Sequence, residues 1–175
     1  MAQFLFRPEQ YGSIVAALLA TPRISDLGPG TPDEKMRAAL RAFDPMTALG
    51  NVRDRDAARA CHAGLWLYFD FLEESHEISQ SLDTSDGSFW HAIMHRREPD
   101  PSNAMYWFRR VGAHPVLRLL TEQAQSVGYT YENPQQFVDF CERVRDTGTP
   151  DEELAKRVQK LEWELLFDHC YRAAT

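Results

Sequence analysis

In this chain of 175 residues, Thr31-Pro32, Asp100-Pro101, Asn133-Pro134 and Thr149-Pro150 each place a side chain suited to capping a helix directly before proline. Proline lacks an N–H and holds φ near −65°, so it fits the first helical position, where that N–H would have no partner. The residue before it can accept one of the N–H groups that the first turn leaves free. In Thr31-Pro32-Asp33-Glu34 and Thr149-Pro150-Asp151-Glu152 a glutamate three residues past the cap completes a capping box. Asn133-Pro134-Gln135-Gln136 repeats the pattern with glutamine, and Asp100-Pro101-Ser102-Asn103 is a looser version. Together with apolar positions spaced by 3.6 residues, these starts predict helices near 8–20, 32–43, 55–81, 86–97, 101–112, 114–127, 134–146 and 150–172.

No run alternates apolar and polar residues with β-branched side chains, so strands are not expected. Gly28-Pro29-Gly30 reads as a turn rather than a linker, and no internal repeat stands out. The expected fold class is therefore all-α: one domain over residues 1–175, a bundle-like array of about seven or eight helices. The segment near 55–81 carries Leu65, Leu67, Tyr68, Phe71, Leu72 and Ile78 around most of its circumference, which predicts a buried central helix.

A net charge of −7 argues against general nucleic-acid binding, which needs a broad basic surface. Cys61, Cys141 and Cys170 are far apart and odd in number, as in a reduced, cytoplasmic protein. The apolar run Ile14 to Ala20 lacks a basic leader and is too short to cross a bilayer, so no membrane association is expected. The oligomeric state is left open.

Against this acidic background, residues 89–118 stand out. They hold three of the six histidines, two of the four tryptophans, and five arginines against only Glu98 and Asp100, for a net charge of +3. Three readings of this segment follow. In the first, Arg96, Arg97 and Arg110 bind a small anionic molecule, Trp90, Tyr106 and Trp107 wall the pocket, and Asn103 orients the ligand. If that pocket belongs to an enzyme, a point the residues leave undecided, His76, His91 or His95 is its acid-base group.

In the second reading the protein is a metal-dependent hydrolase or transferase. His91 and His95 are one helical turn apart, the spacing at which two imidazoles can bind one divalent transition-metal ion. A third ligand must come from elsewhere, with His76, Glu73 and His62 as candidates. Ala92 follows His91 where metalloproteases of the HExxH type carry their glutamate base, which excludes that class. A third possibility is an interaction module whose aromatic and basic face docks a protein partner.

The phrases FWHAIMHRREPD and NAMYWFRRVGAHP resemble the signature of a family of helical proteins without an assigned activity. The resemblance covers roughly residues 72–118, including Ser75-His76-Glu77-Ile78. It implies a shared fold and no catalytic roles. The histidine spacing is also similar to that of metal-dependent four-helix proteins of the DNA-damage-inducible class, which carry HxxxH on one helix and a third histidine on another. The distance from His76 to His91 is shorter than their pattern, so that likeness implies no more than possible metal chemistry.

Overall fold

The computed structural model describes residues 3–175; Met1 and Ala2, the start of the expected domain, lie outside the described residues. Among those residues it contains ten α-helices and no strand. Thr149 caps the longest of them, α10 (Pro150–Ala174), by accepting the Glu152 N–H at 3.4 Å. The Glu152 carboxylate reaches back to the Gly148 N–H at 2.8 Å, one residue before the cap, and Asp151, Glu152 and Glu153 complement the dipole of the first turn. Alongside α10 lies α4 (Arg55–Tyr68), started by Asp54 and buried along most of its length from Ala57 to Leu67. Asn133 and Asp100 likewise cap α9 (Pro134–Val144) and α7 (Pro101–Val111), as their sequences predict.

Three expected elements differ. The segment near 55–81 is two helices, because α4 stops at Tyr68 and α5 (Leu72–Ser79) leaves in a new direction. Asp70 sits between them in the left-handed region, φ +65°, where aspartate is tolerated better than most residues. The Asp70 and Phe71 N–H groups turn back to the Leu67 and Trp66 carbonyls. The Asp70 carboxylate is held by Arg97 and Arg23, so tertiary ion pairs fix the break. The helix expected from Thr31 begins only as α2 (Arg37–Ala42), and the Asp33 N–H, which a Thr31 cap could have accepted, goes to the Phe69 carbonyl at 3.0 Å. Near the N-terminus, a 3₁₀ turn (Pro8–Tyr11) precedes a short α1 (Gly12–Leu18). One helix was not expected, the four-residue α3 (Pro45–Ala48), capped by Asp44.

The remaining helices are α6 (Ser85–Arg97) and α8 (Pro115–Gln123). α6 is started by the Thr84 hydroxyl, which accepts the Gly87 N–H at 3.0 Å. It is buried on every side from Gly87 to Arg97, wedged between α4, α5 and α7. The short turn from Glu98 to Asp100 folds α7 back along α6, and this is the most extensive helix pair in the molecule. No helix among the described residues is long and apolar enough to cross a membrane.

Candidate metal centre

α6 points different residues at different neighbours. Arg96, fully buried, forms an ion pair with Glu162 of α10, lies over the Phe137 ring and reaches Gln159. Arg97, 2% exposed, donates to the carbonyls of Gly28 at 3.1 Å, Leu67 at 2.9 Å and Pro29 at 3.2 Å, and pairs with Asp70. These two arginines therefore act as internal fasteners, tied to α10, α4 and the 28–30 turn, with Arg96 Nε buried and unpartnered. The basic island expected from residues 89–118 does not form around them. Arg110 is on the surface, over the Trp107 ring and 3.5 Å from Asp83. Trp90 faces the core, where a β-carbon on Gly64 would meet its ring at 2.6 Å. Tyr106 is 47% exposed, with its ring edge-on to Trp107. Of the expected pocket walls, only Trp107 faces the histidines.

Those histidines do converge. One ring nitrogen from each of His76, His91 and His95 lies within 4.8 Å of the other two. His76 comes from α5, because the turn at Asp70 brings that short helix against α6. The other candidates for a third ligand are elsewhere. His62 is bonded through Nε2 to the Leu40 carbonyl at 3.0 Å and stacks on Trp66, while Glu73 lies outside the cluster.

Each ring is positioned by specific partners. His91, 2% exposed, stacks on Trp107 with ring centres 3.9 Å apart and an angle of 15° between planes. Its Nδ1 is buried and has no hydrogen-bond partner. Burial, then the neighbouring His95 and His76, push its pKa down to about 3, so the ring is neutral. Burial also lowers the pKa of His95, against the opposing pull of Glu98. The Glu98 carboxylate is 3.0 Å from His95 Nδ1 and holds the proton there, leaving the Nε2 lone pair available. A carboxylate behind an imidazole is the usual outer partner of a metal-binding histidine.

In a second cluster, one ligand atom from each of Asp86, His114 and His169 also lies within 4.8 Å of the other two. It was not visible in the sequence, since its members come from the start of α6, the cap of α8 and the end of α10. His114 Nδ1 accepts the Val116 N–H at 3.2 Å, so the proton of the neutral ring is on Nε2, which donates to Asp86 at 2.8 Å. His169 Nε2 is 3.4 Å from the same carboxylate oxygen. Both nitrogens of His114 are thus used within the chain, and this cluster is a hydrogen-bonded staple.

Comparison of the chain with protein-family models, with curated proteins and with solved structures finds no match in any of the three. The arrangement of these side chains carries the functional argument alone.

Proposed function

We propose that this protein binds a divalent transition-metal ion through His76, His91 and His95 and acts as a metal-dependent hydrolase or transferase. The observation that carries this reading is the buried, neutral, hydrogen-bond-deficient His91 at the centre of three converging imidazoles. A buried polar nitrogen without a partner costs about 1–3 kcal/mol, and an ion would satisfy it. Ligand nitrogens about 2.0–2.1 Å from a tetrahedral ion stand roughly 3.3 Å from one another, so the present spacing, within 4.8 Å, must contract when an ion binds. Three protein ligands leave room for water or substrate, and the ion would supply Lewis-acid polarisation there.

The surroundings argue for a neutral or cationic substrate and against the small anion expected from composition. An open groove along α5 and the 98–100 turn is lined by Glu73, Glu77, Glu98 and Asp100, with Arg41 as its uncommitted cation. Glu98 belongs both to this groove and to the histidine cluster.

The test is metal content. Protein purified without chelators is expected to hold about one equivalent of zinc, nickel or another transition ion, and to melt at a higher temperature with the ion than without it. His91→Ala and His95→Ala should lose both properties. Wild-type protein that neither contains nor is stabilised by any such ion would falsify the reading.

A further inference from the structure

The three rings of the centre are not held alike. Glu98 binds the edge of His95 at Nδ1, 3.0 Å away, and the Asn103 amide nitrogen, 3.1 Å from one ring nitrogen and 3.4 Å from the other, lies over its face. His91 has no such partner at Nδ1. It meets Trp107 and His95 through its faces, at 3.9 Å and 15° for the first and 4.7 Å and 22° for the second. His76 stands nearly perpendicular to both histidines, at 84° to His91 and 73° to His95. A bond from an imidazole nitrogen to an ion lies in the ring plane, along the lone pair. Stacked rings hold their lone pairs in separate, nearly parallel planes, so His91 and His95 reach a common ion only if one of them turns out of the stack. His76 already crosses both planes. Turning His95 breaks a hydrogen bond to a charged carboxylate, whereas turning His91 breaks an aromatic stack, the weaker contact. Trp107 also has Tyr106 edge-on and Arg110 over its ring, so it has contacts of its own to keep.

We propose that Trp107 sets the affinity of the centre by competing with the ion for the orientation of His91. Binding turns the His91 ring out of its stack on Trp107, while His95 keeps its hydrogen bond to Glu98. This inference rests on the three-histidine reading and adds a cost to loading, because the stack is exchanged for the metal bond. Trp107 is then a residue whose removal tightens the centre, the opposite of a support. An aromatic pair is worth about 2–10-fold in an equilibrium, which sets the size of the effect.

The experiment follows the near-ultraviolet circular dichroism of the indoles, which reads their ring contacts, and measures binding by calorimetry. Zn2+, or Ni2+ if zinc does not bind, is titrated into the full chain and into Trp107→Leu and Trp107→Phe. Wild type is expected to bind one equivalent with a change in the indole bands. Trp107→Phe keeps a stacking face and should bind with close to wild-type affinity but without that change. Trp107→Leu keeps an apolar side chain and no ring, and should bind about 2–10-fold more tightly. A residue that only packs α7 against α6 would alter the melting temperature and leave the affinity of the folded protein where it was. One equivalent bound by wild type with unchanged indole bands, or unchanged or weaker binding by folded Trp107→Leu, would overturn the role of Trp107 and leave the three-histidine centre standing. Failure of wild type to bind any transition ion would remove both. If Trp107→Leu does not fold, the indole bands decide: a change that persists in Trp107→Phe comes from another tryptophan and overturns the proposal.

Discussion

Two groups of three side chains in this molecule meet the same distance condition for holding an ion, and they differ in what their nitrogens already do. In the Asp86–His114–His169 group, His114 has spent its lone pair on the Val116 N–H and its proton on Asp86. In the His76–His91–His95 group, Glu98 fixes one proton so that a lone pair is left over, and His91 keeps a buried nitrogen with no partner. Proximity is thus a weak criterion for a metal site. Whether a nitrogen is left without a partner separates the staple from the candidate centre.

The comparison can be broken or sharpened by four measurements. The largest effect is expected from Arg96→Ala, which leaves Glu162 buried without its cation and should cost about 3–5 kcal/mol in urea unfolding. Because α6 carries members of both groups, this variant should disturb both, and it calibrates damage that is not specific to either. Next, His91→Ala should weaken metal binding by more than the roughly 100-fold that loss of an outer partner can cost, while His169→Ala leaves it unchanged. Equal losses in a metal titration would erase the distinction between the groups. Third, Asp86→Ala should destabilise the protein by about 1–3 kcal/mol, since His114 Nε2 loses its acceptor, with metal affinity retained.

The smallest expected effect, taken over a single pH unit, is a slope in pH. The folded-state pKa of His91 lies below its ordinary value near 6.5, at about 3, so the unfolded chain takes up a proton that the folded chain refuses. Its contribution to stability is fully present above about pH 6.5 and is lost as the pH falls toward 3. Metal-free protein should therefore lose at most about 1.4 kcal/mol per pH unit through this group over that window, and His91→Gln should flatten the dependence. An unchanged slope in that variant would show that His91 is not held neutral by the fold.

Much of this was legible in the sequence where the cause is local. Asp100, Asn133 and Thr149 cap the helices their prolines announce, and the four-residue spacing of His91 and His95 puts both on one face of α6. What could not be read depends on partners far along the chain. Nothing near Arg96 or Arg97 in sequence says that Glu162 and Asp70 await them, so two structural arginines look like ligands for an anion. The same blindness fuses α4 with α5, because apolar periodicity continues through a residue whose backbone is turned by ion pairs made elsewhere. It also hides the Asp86 group, whose three members share no segment. Thr31 shows the converse: a sound local signal that starts no helix, with the Asp33 N–H it could have capped bonded to Phe69.

Asp70 carries a consequence of its own. It touches none of the three histidines, yet the reversal it makes decides whether His76 meets α6 or continues along the line of α4. Its carboxylate lies so close to Gly30 that a β-carbon there would come within 2.7 Å, so the 28–30 turn is locked to the same point. The aim of the candidate centre is thereby delegated to a hinge pin outside it. Inherited changes at position 30 or 70 could silence the centre while every imidazole remained in place.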